Sequence, residues 1–119
     1  MVLVDTSIWV DHLRFGNPRL ACLLEDGDVV CHPFVIGELA CGRLPDRADT
    51  LGRLLELPWT GVAGFDEVMS LIEAHRLMGT GLGFIDAHLL ASARLSGIRL
   101  WTHDLQLKKA AAKLDVLFP

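Results

Sequence analysis

The chain begins with the stretch Val2-Leu3-Val4-Asp5-Thr6-Ser7, in which a short apolar run stops abruptly at three polar residues. A bounded apolar run of this kind is typical of a buried strand, and the amphipathic residues from Ile8 onward predict a helix. In open α/β sheets, sites form beyond the carboxyl ends of the strands. The stretch therefore predicts an α/β fold in which a buried strand delivers the Asp5 carboxylate to a site.

The amino-acid composition predicts one compact domain. The 119 residues are 51% hydrophobic and 22% charged, which is ample for a packed core, so we expect residues 1–119 to form a single domain. No basic segment precedes the first strand, and no apolar run approaches the ~20 residues that a bilayer span needs. We therefore expect a cytoplasmic protein without membrane contact.

The cysteines are odd in number and lack the short paired spacing of a zinc site. Cys22, Cys31 and Cys41 all lie among apolar neighbours. We interpret them as reduced core residues and not as disulfides.

Apolar periodicity and turn residues predict strands that alternate with helices. Strands are predicted at Val2–Val4, Val29–Cys31 and Arg99–Thr102, with further brief strands at Trp59–Val62 and Val116–Phe118. Helices are predicted over residues 6–14, 18–25, 33–42, 46–57, 65–78, 84–95 and 106–114. The glycine-rich run 79–83 follows a helix and not a strand, so it is interpreted as an interhelical loop and not as a phosphate cradle. The alternation predicts a parallel sheet covered by helices on both faces.

Three further acids occupy positions comparable to Asp5. Asp104 follows the predicted strand at Arg99–Thr102, while Glu38 and Asp86 lie inside apolar helical stripes. Their neighbours three and four positions away are almost all apolar or small: Phe34, Val35, Cys41 and Gly42 for Glu38, and Leu89, Leu90 and Ala93 for Asp86. Acids are seldom buried without a partner, and neither stripe holds a basic residue.

Each acid also has an ordinary structural explanation. Asp5 and Asp104 could cap the helices that follow them, and Asp86 could stabilise a first helical turn through the macrodipole. Taken together, however, converging carboxylates repel. Each ionised pair at about 5 Å costs roughly 3 kcal/mol at an effective dielectric of about 20. A bound cation would remove that cost.

The donor set indicates which cation this would be. Oxygen ligands without matched His or Cys residues favour Mg²⁺ or Mn²⁺ over zinc. Such a site supports in-line attack of metal-activated water on a phosphoester. Asp5 would be the central ligand, Glu38, Asp86 and Asp104 would complete the site, and the hydroxyls of Thr6, Ser7 and Thr102 would position water or phosphate.

The net charge of −4 argues against a nucleic-acid substrate, since phosphate contacts normally use basic surfaces. Basic residues nevertheless gather locally, at Arg43, Arg47 and Arg53 and at Lys108, Lys109 and Lys113. These clusters could hold a phosphate backbone or could be ordinary solvated helix faces. His103, beside Asp104, is a further candidate for RNA contact.

The ordered motifs VLVDTS, VIGELACG with Glu38, GFIDAHLLASA with Asp86 and LWTHD with Asp104 resemble PIN domains, and closely the VapC-type toxins, over the whole chain. The resemblance implies a single-domain, Rossmann-like α/β/α sandwich with a short central parallel sheet. It also implies a Mg²⁺- or Mn²⁺-dependent endoribonuclease that acts as the toxin of a type II toxin–antitoxin pair. By the same resemblance, the partners are RNA, a VapB-like antitoxin whose tail covers the acidic site, and a second copy in a homodimer. Around Asp104 the family pattern varies, and the basic residue often found there is replaced by His103.

Three other classes are weighed against this interpretation. A receiver-like signalling domain needs an acidic pair after the first strand and a late lysine, but Thr6 and Ser7 follow Asp5. A haloacid-type phosphatase needs a second Asp where Ser7 stands. A non-catalytic PIN scaffold would bind RNA without cutting it, and the presence of all four acids disfavours it.

Overall fold

The structure, a computed structural model, describes all 119 residues and contains three strands and seven helices. The elements in chain order are β1 (Val2–Val4), α1 (Thr6–Phe15), α2 (Pro18–Glu25), β2 (Val29–Val30), α3 (Pro33–Cys41), α4 (Arg47–Glu56), α5 (Phe65–Ala74), α6 (Phe84–Ser96), β3 (Arg99–Trp101) and α7 (Leu105–Lys113). No helix is long and apolar enough to cross a membrane.

The sheet has the strand order β2-β1-β3, with both pairings parallel. Leu3 of the central strand pairs with Val30 on one side and Leu100 on the other, and its side chain is fully buried. Helices α1, α3 and α4 contact one another as one group, and α5, α6 and α7 form a second group that reaches β3 through α6. The predicted α/β/α sandwich with a short parallel sheet is confirmed.

The strand order places a topological switch point at the end of β1. From β1 the chain first builds the sheet outward to β2 and later returns to build the other side at β3. In open α/β sheets, the crevice at such a reversal is where ligands bind. The residues after β1 and β3, which include Asp5, Thr102 and Asp104, therefore lie at this crevice.

Two predicted strands shrink to single bridges. Cys31 bridges Trp59 and Leu100 bridges Leu117, both in parallel, so the sheet is widened at each edge without a further strand. Each bridge is held by two backbone hydrogen bonds of 2.7–2.9 Å, for example from Leu100 N to Val116 O and from Phe118 N to Leu100 O. The periodicity was too short there to distinguish one bridging residue from a strand.

Helix α5 ends at Ala74, four residues before the predicted end at Met78. Arg76 takes a left-handed conformation with φ 50°, and Leu77 N–H donates to Ile72 O at 3.0 Å. This is the hydrogen-bond pattern of a Schellman motif, and it returns Leu77, only 5% exposed, to the core. The burial of Leu77 overrides the apolar periodicity that continued to Met78.

The cysteine prediction is correct about chemistry and partly wrong about location. All three cysteines are free, but only Cys31 is buried, while Cys22 and Cys41 are exposed. Burial raises the pKa of the Cys31 thiol to about 12, with hydrogen bonding to the His32 backbone acting in the opposite direction. Cys22 and Cys41 are exposed because they lie on the outer faces of α2 and α3.

A buried polar link joins α3, α6 and the segment before α5. His32 Nδ1 accepts from Phe34 N–H at 3.0 Å, so the ring carries its proton on Nε2, which lies 3.2 Å from Ser92 Oγ. The same Ser92 oxygen accepts from Ala63 N–H at 3.1 Å. Burial, and then the charge of His88, lowers the pKa of His32 to about 4, so the ring is neutral at neutral pH.

Ser92→Ala is expected to destabilise the protein by about 2 kcal/mol, because it leaves two buried N–H donors without an acceptor. Urea denaturation at neutral pH measures this difference. Ser70→Ala is the matched control, since Ser70 is exposed on α5 and should change stability by less than about 0.5 kcal/mol. Equal effects of the two substitutions would contradict the role of Ser92.

Candidate active site

Asp5 follows β1 directly and is only 5% exposed, although it carries a carboxylate. Its oxygen Oδ2 accepts two hydrogen bonds, from Thr102 Oγ1 at 2.7 Å and from Ser7 Oγ at 2.9 Å. Asp5 occupies the N-cap position of α1, but its side chain makes no capping hydrogen bond. The capping explanation for Asp5 is therefore wrong, and the carboxylate is held by hydroxyl donors instead.

The two hydroxyls are themselves held by the loop after β3. Ser7 Oγ accepts from His103 N–H and Thr102 Oγ1 accepts from Asp104 N–H, both at 3.0 Å. Because each oxygen receives an N–H, its own hydrogen is directed to Asp5. The sequence predicted that Ser7 and Thr102 position water or phosphate; in the structure, both hydroxyl hydrogens are donated to Asp5.

Glu38 lies at the open side of the site and is exposed, which corrects the prediction that it lies in a buried apolar stripe. Helix α3 buries Val35, Ile36 and Leu39, whereas Glu38 itself lines an open groove between α1 and α3. Thr6 Oγ1 donates to Glu38 Oε1 at 3.1 Å. Thr6 therefore connects α1 to the second acid as Ser7 connects it to the first.

Asp86 lies in the first turn of α6 and is partly buried. Burial first, and then the negative charges of Asp5, Asp104 and Glu38, raise the pKa of Asp86 to about 6, against a lowering hydrogen bond from the Gly83 backbone. The other three predicted acids therefore lie close enough for their charges to act on Asp86. None of the four forms an ion pair with a basic side chain.

Asp104 has the ordinary role that was weighed for it, because its Oδ1 accepts from Leu107 N–H at 2.9 Å and caps α7. The residue is exposed, and its charge still acts on Asp86. Its neighbour His103 is about half exposed, with Nε2 3.8 Å from an oxygen of Asp11. Capping fixes the start of α7 and with it the position of the Asp104 carboxylate.

The donor set of the site matches the needs of a divalent cation. Every charged group at the site is a carboxylate, and their unrelieved repulsion, expressed at Asp86, is what a cation would neutralise. No group of three or more Asp, Glu, His or Cys side chains is preassembled around one point. The chemistry of the site therefore suits a hard cation bound by oxygen atoms.

Comparison with known proteins identifies the family of the chain. Residues 2–113 match the PIN domain family, and the chain belongs to that family. Within the family it is of the VapC type, being 48% identical over 117 residues to Ribonuclease VapC32 of Mycobacterium tuberculosis, in strains CDC 1551 / Oshkosh and ATCC 25618 / H37Rv. The match covers 98% of this chain and 94% of that relative. The resemblance read from the sequence motifs is confirmed, which sets aside the receiver-like and haloacid-type alternatives.

Two solved structures share the fold. PAE2754 from Pyrobaculum aerophilum superimposes with a TM-score of 0.63 at 21% identity, covering 94% of this chain and 80% of that one. FitAcB from Neisseria gonorrhoeae superimposes with a TM-score of 0.61 at 20% identity, covering 98% of this chain and 95% of that one. At these identities, both matches support the architecture alone.

Asp86→Asn is expected to stabilise the metal-free protein at pH 7.5 by about 1 kcal/mol, a value reduced by the partial exposure of the site. The pKa of Asp86 is higher in the folded chain than the ordinary 3.8, so the folded state binds its proton more tightly. Stability is therefore lost as the pH rises from about 4 through about 6, and the neutral amide avoids that loss.

Urea denaturation in EDTA at pH 4 and pH 7.5 measures the difference. We expect no gain at the lower pH, where Asp86 is already protonated. The control is Asp66→Asn, which also lies in a first helical turn, that of α5, but is exposed and outside the acidic site. A gain for Asp66→Asn equal to that for Asp86→Asn would assign the effect to the helix terminus and not to the neighbouring acids.

Proposed function

We propose that this protein is a Mg²⁺- or Mn²⁺-dependent endoribonuclease, with residues 1–119 acting as one domain, and that it is the toxin of a VapBC-like toxin–antitoxin pair. The observation that carries the proposal is that Asp86 lies near enough to Asp5, Glu38 and Asp104 for their charges to act on it, at the switch point of the sheet, with none of the four carboxylates paired with a basic side chain. The name of the relative, Ribonuclease VapC32, supports the reaction and the RNA substrate.

In this proposal Asp5 is the central metal ligand. Its Oδ2 already accepts two hydroxyl hydrogens, so its side chain is fixed and Oδ1 is the oxygen available to a cation. Mg²⁺ is usually held by one or two carboxylates together with water and substrate phosphate. Asp5 and Asp86 supply such a pair, with Glu38 and Asp104 at the more exposed positions.

A bound divalent cation supplies the charge that activates water and stabilises the leaving oxygen of the phosphodiester. The chain's own residues supply position and charge. Asp86, with a pKa of about 6, is mostly ionised at neutral pH, so its carboxylate is available to a cation there. Thr6 holds Glu38 toward the open side of the site, where it can orient water next to the phosphate.

The proposal includes a VapB-like antitoxin and a second copy of the chain as partners. Phe34, Phe65 and Phe84 are 37–63% exposed and are linked by ring contacts through His88, at centroid distances of 4.8–5.9 Å. A contiguous apolar patch of this kind is typical of a protein–protein contact, which supports the homodimer. The free cysteines are compatible with a reducing cytoplasm.

The first test is cleavage of total cellular RNA by the purified protein with Mg²⁺, Mn²⁺ or EDTA. We expect discrete fragments that need the metal, and a loss of more than about 100-fold in rate for Asp5→Asn, since even indirect supports of a metal ligand cost 10–100-fold. Asp26→Asn, on an exposed turn away from the site, should cut like the wild type.

Calorimetric titration with Mn²⁺ checks the same variants without relying on activity. Asp5→Asn should lose affinity for Mn²⁺ while Asp26→Asn keeps it. A wild-type protein that binds RNA but cuts none, in the absence of antitoxin, would instead favour the non-catalytic scaffold. Fragments produced equally by the wild type and Asp5→Asn would indicate a contaminating nuclease.

Thr102→Val is expected to reduce cleavage about 10- to 100-fold with the fold intact, because the isosteric side chain no longer donates to Asp5. The matched control is Thr60→Val, which removes another buried threonine hydroxyl, one that bonds Ser96 at 3.1 Å far from the acids. Both variants should lose about 1 kcal/mol of stability. Only Thr102→Val should lose activity. Equal activity of the two variants would show that the Thr102 hydroxyl does not support Asp5 in cleavage.

A further inference from the structure

A groove begins at the acidic site and runs between α1 and α3 toward the loop after α3. Its volume is about 360 Å³, within the range of small-molecule sites. Thr6 and Glu38, which belong to the site, also line the groove, and Val10 and Leu39 add an apolar surface. Arg14 and Arg43 lie on its walls, so this "cationic groove" combines apolar contact area with two positive charges.

The two arginines differ from most of the other basic residues. The others are largely occupied by partners within the fold: Arg47 with Ala40 O and Gly42 O, Arg53 with Asp49, Arg99 with Asp115, Arg94 with Leu114 O, Lys113 with His75 O, and Arg19 with the rings of Trp101 and Phe118. Arg14 and Arg43 are exposed and make no hydrogen bond or ion pair with any residue of the chain. Their guanidinium groups are available to a ligand.

We propose that the cationic groove binds the sugar-phosphate backbone of the RNA next to the bond that is cut, with Arg14 and Arg43 contacting its phosphates. This inference rests on the proposed ribonuclease function and extends it to the path of the substrate. The planar guanidinium fork matches the oxygens of a phosphate group. The apolar wall offers contact to a ribose or an unstacked base.

Electrostatics favour this path over others. The chain carries a net charge of −4 and four acids converge at the site, so a polyanion approaching from an arbitrary direction is repelled. An RNA strand that lies in the cationic groove meets two unpaired positive charges, those of Arg14 and Arg43, before it reaches Thr6 and Glu38. The groove therefore offsets, next to the cut, the repulsion that the acids impose.

Binding is tested in an Asp5→Asn background, which leaves the RNA intact, with a fluorescent single-stranded RNA of random sequence as the probe. Arg14→Gln, Arg43→Gln and the double variant are titrated across a salt series. Each lost phosphate contact should reduce the slope of log K against log salt by about 0.7, and the double variant by about 1.4. The matched controls, Arg53→Gln, Arg99→Gln and their double variant, change the net charge equally and should keep the wild-type slope.

Steady-state cleavage by the otherwise wild-type protein gives a second readout. Contacts outside the reacting centre contribute to substrate and transition state alike, so the Arg14/Arg43 double variant should raise KM about fivefold and leave kcat unchanged. Arg→Lys at both positions should recover part of the loss. The melting temperature should not change, because neither guanidinium group makes a hydrogen bond or ion pair within the chain.

The outcomes separate this inference from the function on which it rests. The protein could cut RNA while its Arg14/Arg43 double variant matches the Arg53/Arg99 control in salt slope and KM. That result would overturn the groove as the RNA path and leave it to another occupant, such as an acidic peptide. A protein that cuts nothing yet loses the salt slope in the double variant keeps the groove and loses the ribonuclease function. If every variant, Asp5→Asn included, kept both cleavage and the wild-type salt slope, the groove proposal and the proposed active site would both be contradicted.

Discussion

A buried carboxylate at the end of a central strand needs hydrogen-bond donors, and the organisation of this protein depends on how Asp5 obtains them. The donors come from Ser7, in the first turn of α1, and from Thr102, directly after β3. Both hydroxyls accept from the backbone of the next loop, at His103 and Asp104. One carboxylate oxygen thus joins the ends of two neighbouring strands to the starts of two helices, and it fixes the geometry on which the other acids converge.

The secondary structure could be predicted closely because it depends on local patterns. Helix α2 and strand β1 have the predicted bounds, since Pro18 begins the one and Asp5 ends the other. The errors arise where distant packing decides. Helix α5 stops early because the core takes up Leu77, and Glu38 is exposed because it lines a groove that no other element covers. A helical stripe indicates which residues share a face, but not whether another element covers that face.

The four acids could be found from sequence because each follows a strand or interrupts an apolar stripe. The hydroxyl groups that hold Asp5 could not be found in this way. Nothing near Thr102 in the chain shows that it faces Asp5, since the two are 97 positions apart and meet only because β1 and β3 are parallel neighbours. The cationic groove was equally hidden. The basic clusters predicted from sequence included Arg47 and Arg53, which the fold uses internally, and omitted Arg14, which it leaves free.

The carboxylates of the site and the unpaired arginines near it occupy separate places in the structure. Folding partly buries Asp86 and places three further carboxylates near it without a basic partner, which together raise the pKa of Asp86 and cost stability that a structural site would avoid. Such local cost is expected where function, and not stability, selects the residues. A lysine or arginine among the acids would relieve the repulsion but would also compete with a cation. The chain instead places the unpaired guanidinium groups of Arg14 and Arg43 outside the acidic cluster, in the groove beside it, where they can attract a phosphate backbone without neutralising the carboxylates.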